Sequence, residues 1–204
     1  MTAWPDQPVI VEINTWVWLD ELRRRHGADI NLGSVPAGAW DDAVPAGADA
    51  VWLMGVWQRS SQGAVVAREH DGVRADVRAA LPDATDRDVV GSPYCIRGYT
   101  VDPLLGGDDA LAQARSTLAR RGFRLVLDYV PNHVARDNPW TADHPDYLVT
   151  GTPEDLERDP ASFAEVAGRI FALGRDPHFP AWTDVVQVNA FGSDLRSAMT
   201  EQLR

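Results

Sequence analysis

The stretch "FRLVLDYVPNHV", Phe123–Val134, begins as a strand and ends as chemistry. Phe123, Leu125, Val126 and Leu127 form a short apolar run, and Tyr129 and Val130 continue its β-favouring character. Pro131 then removes a backbone donor and ends any ladder. Within the same dozen positions the chain delivers Asp128, Asn132 and His133, three polar groups at a strand's carboxyl end.

Working outward, Gly122 is placed as the C-terminal stop of a helix over Asp108–Arg121, which starts with Asp and ends with Arg in the sense its dipole favours. Upstream, "ADAVWLMGVW", Ala48–Trp57, and "VIVEINTWVWL", Val9–Leu19, read as two further strands. Gln62–Leu81 has helical apolar spacing at Val73, Val77 and Leu81, Pro36–Ala46 is helix-like, and Gly91–Gly107 is a Gly/Pro/Tyr loop. Strands alternating with helices predict a parallel sheet with crossover helices, an α/β fold. Beyond Pro131 the pattern changes. Pro131–Trp182 is an excursion far longer than the roughly 2–6 residues of an ordinary βα loop, with one helix expected at Ala161–Leu173. A short strand, Thr183–Asn189, and a helix from Ser193 to Arg204 follow.

Composition excludes several classes of function. A formal charge of −11 over 204 residues disfavours nucleic acid and anionic membranes as partners, and suits a neutral substrate. The chain contains no Lys, so all 19 basic residues are Arg. Schiff-base lysine chemistry and a Walker-type phosphate lysine are thereby excluded. Cys95 is the single cysteine, which rules out an internal disulfide and a CxxC metal site. No apolar run is long enough to span a membrane, and "MTAWPDQPVI" lacks signal-peptide character, so a cytoplasmic location is expected.

In parallel α/β folds, sites gather at the carboxyl ends of strands. Asp128, Asn132 and His133 there could orient a polyhydroxyl ligand, hold a hard cation or brace neighbouring groups, and taken singly each is explained by strand-end hydrogen bonding. "DYVPNH", Asp128–His133, resembles the first conserved region of the α-amylase superfamily, glycoside hydrolase family 13. "GSPYCIRGYTVDPLLGG", Gly91–Gly107, is similar to that family's loop before its second barrel helix. "TDVVQVN" resembles the short region near the end of the family's inserted domain, and "EINTWVWL" and "VWLMGVW" resemble barrel strands one and two, all in the family's order.

The resemblance implies an incomplete (β/α)8 TIM barrel, strands one to three with their helices, plus a domain inserted after strand three. Its boundaries would be 1–130 for the barrel part, 131–182 for the inserted segment and 183–204 for the return toward the barrel, ending before strand four. By the same resemblance Tyr94 stacks on a sugar ring, His133 binds its hydroxyls, Asp128 braces the site, and Asn132 matches a position that binds structural calcium in many members. The implied activity is retaining hydrolysis or transfer at α-glucosidic bonds in an α-glucan or oligosaccharide. Gly98 stands where the family usually has Asp, which puts one loop anchor in doubt. The family's catalytic carboxylates have no matching position. "DGVRAD", Asp71–Asp76, mimics the nucleophile motif, but it lies upstream of "DYVPNH" instead of downstream, and Arg74 and Asp76 read as a solvated helix face. Three accounts stay open: a fragment of a glucan-active enzyme, a non-catalytic glucan-binding module, and one half of a split glycosidase completed by a second chain. Of the eight Trp, Trp16, Trp18 and Trp52 are expected buried in strands, and Trp57, Trp140 and Trp182 are groove candidates.

Overall fold

A computed structural model describes residues 4–203. Met1–Ala3, the first residues of "MTAWPDQPVI", and Arg204, the end of the expected last helix, lie outside the described residues.

The first expected strand divides in two. β1 is Ile10–Asn14, and the Asn14 side chain then caps α1, Thr15–His26, by accepting from the Val17 N–H at 3.4 Å. A cap of this kind satisfies one of the orphan donors of a helix start and outweighs the β preference of the aromatics that follow. Trp16 and Trp18 are therefore helical and only partly buried. α2 is Ala37–Ala43, β2 is Ala50–Met54 and β3 is Trp57–Arg59.

Gln62–Leu81 is two helices, α3 (Ser61–Glu69) and α4 (Asp71–Ala80). His70 leaves the helical region between them, and its Nδ1 accepts from the Val73 N–H at 3.3 Å, capping α4. β4 is Ile96–Val101 and α5 is Gly107–Arg120. Gly122 ends that helix with φ +87°, and the Phe123 N–H returns to the Leu118 carbonyl at 3.0 Å. β5, Arg124–Val126, follows.

The excursion holds β6 (His133–Ala135), α6 (Trp140–Asp143) and α7 (Pro153–Arg158). The helix expected at Ala161–Leu173 is instead a hairpin of β7 (Phe163–Val166) and β8 (Arg169–Gly174). Ala167 and Gly168 turn it with φ of +51° and +74°, the two positive values of a type I′ two-residue hairpin turn. β9 is Trp182–Gln187 and α8 is Ser193–Gln202.

These elements form two compact units, Met1–Gln58 with Thr100–Tyr129, and Arg59–Tyr99 with Val130–Arg204. In the first, a parallel sheet runs in the order β1-β2-β5, with Ile10 opposite Ala50 and Trp52 opposite Val126. Its core joins Ile13, Val51 and Leu53 of the sheet to Leu19, Trp40 and Leu118 of the helices, all buried. Along β1 the alternate residues Ile10, Glu12 and Asn14 are exposed. In the second unit an antiparallel sheet runs β6-β9-β8-β7. Phe171, Val134, Val186 and Leu195 form its core, and Trp140 packs on that core beside Tyr147, so this groove candidate is a packing residue.

Candidate functional site

Asp128 lies two residues past β5 in the first unit and is 7% exposed. Its Oδ1 accepts from Trp52 Nε1 at 2.9 Å and its Oδ2 from the Gly55 N–H at 2.6 Å. Its backbone carbonyl accepts from Trp57 Nε1 at 2.8 Å, and the Gly55 carbonyl from Trp16 Nε1 at 2.9 Å. Two indoles, the Gly55 N–H and one carboxylate thus tie β2 and the chain after it to the chain after β5, and a third indole ties Gly55 to α1. Gly55 makes this possible by turning at φ +80°, a value that favours glycine. Trp57, a groove candidate in sequence, points its N–H at this brace.

Tyr94, Asn132 and His133 are brought together in the second unit. His133 opens β6 opposite Gln187 of β9. The Gln187 amide nitrogen donates to both the Asn132 carbonyl (2.8 Å) and its Oδ1 (3.0 Å), and Gln187 Oε1 accepts from the Arg175 N–H at 3.1 Å. Asn132 Nδ2 donates to the Arg175 carbonyl and to His133 Nδ1, each at 3.2 Å. An amide nitrogen only donates, so Nδ1 must be an acceptor and the imidazole proton sits on Nε2. That Nε2–H donates to the Tyr94 carbonyl at 3.2 Å. Burial pushes the His133 pKa below the ordinary histidine value, against the opposing pull of the Tyr94 carbonyl and of the Asp184 charge. The ring is a neutral, pre-oriented donor.

Tyr94 itself projects from a turn, 38% exposed, and its N–H donates to Ser92 Oγ at 3.2 Å. An exposed phenol face beside polar groups suits the C–H surface of a pyranose. Other hydrogen bonds tie down the loop around Gly98. The Tyr99 hydroxyl accepts from the Val130 N–H at 2.8 Å and donates to the Val130 carbonyl at 3.2 Å, and Asn138 Nδ2 donates to the Arg97 carbonyl at 2.9 Å.

Sequence reasoning missed Gln187 and Asp184. Gln187 is identified only by the β6/β9 register, which no local pattern announces. Asp184 is half-buried, and among the described residues no ion pair reaches it. Burial first, and then the charges of Asp184 and Asp137, push the neighbouring Cys95 thiol far up, which makes it an inert core group. Trp182, the remaining groove candidate, sets its indole edge against the His133 ring at 5.2 Å between centroids. Gly174 leaves room for this arrangement: a Cβ there would stand 2.7 Å from Val185 Cγ2 and 3.1 Å from His133 Cβ. Arg74 and Asp76 are exposed on α4, as a solvated face should be.

Calcium takes about 6–8 oxygen ligands, and toward such a set Asn132 offers one side-chain oxygen. Its one side-chain oxygen accepts from Gln187 and its nitrogen is spent on two acceptors. Among the described residues no group of three or more His, Cys, Asp or Glu could hold a metal ion. Nor is any helix among them long and apolar enough to cross a membrane.

No protein-family model and no curated protein matches this sequence. Solved structures do. The chain is similar to an α-amylase from Lactobacillus plantarum, at 16% identity and a TM-score of 0.54 over 96% of this chain and 35% of that one. It is similar to an α-amylase from H. orenii, at 14% identity and 0.57, over 98% of this chain and 38% of the other. An isomaltulose synthase mutant from Erwinia rhapontici, solved with D-glucose, matches at 14% identity and 0.57 over 100% and 33%. At such identities the likeness is one of fold, and the chain spans about a third of the length of each of these proteins. The chain shares its fold with enzymes of the α-amylase family.

Proposed function

We propose that the chain is the N-terminal segment of an α-glucan-active retaining hydrolase or transglycosidase, and that it carries the orienting half of a sugar site. On this reading β1, β2 and β5 are the first three strands of a (β/α)8 barrel, and the antiparallel sheet β6-β9-β8-β7 is the inserted domain. Tyr94 stacks on the sugar ring, the His133 Nε2–H exchanges the Tyr94 carbonyl for a sugar hydroxyl when the ligand binds, and Asp128 holds the strand ends in place. The observation that carries the reading is the neutral His133 fixed at both ring nitrogens beside an exposed Tyr94. The two carboxyl groups of a retaining glycosidase stand about 5–5.5 Å apart. No position among these 204 residues matches that pair. Asn132 acts as a strut between β6 and β9, with calcium playing no part.

Saturable binding of maltotriose, weakened tenfold or more by His133→Ala and by Tyr94→Ala, is the expected result in titration calorimetry. The chain should not turn over maltooligosaccharides or nitrophenyl α-glucoside. Turnover that disappears in Asp76→Asn would overturn the assignment and make the upstream motif catalytic.

A further inference from the structure

The second unit contains a cavity of about 620 Å³ between α3, α4, the segment 88–92 and the approach to β9. That volume lies within the range of roughly 300–1,000 Å³ typical of small-molecule sites. Val66, Val73, Val77 and Val89 supply hydrocarbon walls, and Trp182 and Asp184 close one side. α4 has no buried residue, yet Val73 and Val77 stand one turn apart on the face that lines the cavity. The helix keeps an apolar stripe that its own core does not fill.

The cavity adjoins the candidate sugar site. Trp182 lines it and also meets the His133 ring, and Ser92 lines it while accepting from the Tyr94 N–H. A second sugar ring would need a dense set of hydrogen-bonding partners, and valines offer none. The charge pattern selects further: Asp88 and Asp184 line the cavity and no Arg does, so an anion finds no cationic partner in its walls.

We infer that this cavity is a subsite for an uncharged aromatic or alkyl aglycone, so that the protein favours α-glucosides with an apolar leaving or accepting group over unbranched glucan. The inference rests on the reading of Tyr94 and His133 as the sugar site, and it names the substrate class of that site. The sugar lies against Tyr94 and His133 while the attached apolar group passes Trp182 into the valine-lined space.

The test compares methyl, phenyl and 4-carboxyphenyl α-glucoside by titration calorimetry on the full chain. Phenyl α-glucoside should bind roughly tenfold or more tighter than the methyl compound, because a ring is removed from water, and the 4-carboxyphenyl compound should lose that gain. Val73→Trp and Val77→Phe each fill the cavity from a helix without buried residues. Both should abolish the phenyl advantage while leaving methyl α-glucoside binding unchanged, with circular dichroism confirming the fold. Equal affinity for the methyl and phenyl compounds, with methyl binding still lost in His133→Ala, would overturn the aglycone subsite and leave the sugar site standing. Absence of binding by every glucoside would overturn the sugar site and the subsite together.

Discussion

Replacing Asp128 by Ala should unfold the protein far more readily than its position in a proposed ligand site would suggest. The carboxylate is 7% exposed and accepts from the Gly55 N–H and Trp52 Nε1–H at 2.6 and 2.9 Å. Alanine leaves both donors facing a space with no acceptor. An unsatisfied buried donor costs about 1–3 kcal/mol, and about 1.5–2.5 kcal/mol fits each of these partners of a charged acceptor. The two together give roughly 3–5 kcal/mol, a large fraction of the ~5–15 kcal/mol stability of an ordinary domain. With a urea m-value of about 2 kcal/mol/M, the midpoint should fall by roughly 1.5–2.5 M at unchanged m. Urea unfolding followed by circular dichroism reads this directly. Asp128→Asn keeps the size but turns one acceptor into a donor, and should lose about half as much. Trp52→Phe removes one of the two donors, and in combination with Asp128→Ala its cost should be largely absorbed. A midpoint shift below about 0.3 M for Asp128→Ala would refute the brace, since exposed substitutions already vary by about 0.5 kcal/mol.

Other outcomes follow from the same geometry. Burial holds the His133 pKa below its ordinary 6.5, so the native state takes up this proton later than the unfolded chain. The resulting stability is complete above pH 6.5, falls as pH drops below it, and levels off beneath the native value; thermal melts of His133→Phe should show a flatter acid limb. Gly63→Ala puts a Cβ 2.6 Å from Cys95 Sγ in a buried turn of α3. It should cost about 1–3 kcal/mol despite the gain in helix propensity, read as a lowered melting temperature. Ala167→Gly relieves a left-handed residue at φ +51° and should raise stability by up to about 1 kcal/mol, whereas Gly168→Val should lower it. Adding calcium, or removing it with a chelator, should leave the melting temperature unchanged, because the Asn132 oxygen is occupied by Gln187.

Local signals carried part of this structure. Gly122 and the charge-biased ends of α5 marked that helix correctly, since a positive-φ stop and a dipole-matched sequence are properties of a few adjacent residues. The strand content of Phe123–Val130 was equally local, and β5 lies within it. The errors arose where two local signals conflicted. At Asn14 a helix cap met a run of Trp and Val, and the cap decided. At His70 a side chain acting as a cap broke what apolar spacing presented as one helix. In the β7–β8 hairpin, Phe163, Val166, Ile170 and Leu173 are spaced as a helical stripe would be, yet the Ala167–Gly168 turn reverses the chain. Alanine carries no turn signal of its own, so the pair did not read as a hairpin.

The candidate site divides along the same line, and the division explains what each residue does. Tyr94, Asp128, Asn132 and His133 were legible because they sit in contiguous motifs beside strands. What fixes them is non-local. Asp128 needs Trp52 and Gly55, more than seventy residues away in the chain. His133 gets its tautomer from Asn132, whose own orientation depends on Gln187 and Arg175 across the sheet. The resemblance assigned Tyr94 to stacking, His133 to hydroxyl binding, Asp128 to bracing and Asn132 to a calcium position. The hydrogen bonds separate them into two chemistries: Asp128 and Asn132 have their side-chain polar atoms engaged with buried or cross-sheet partners, while Tyr94 is exposed and the His133 donor is held only by the backbone carbonyl of that exposed tyrosine. A ligand can draw only on the second pair, so losing Asp128 should register as stability and losing His133 as affinity.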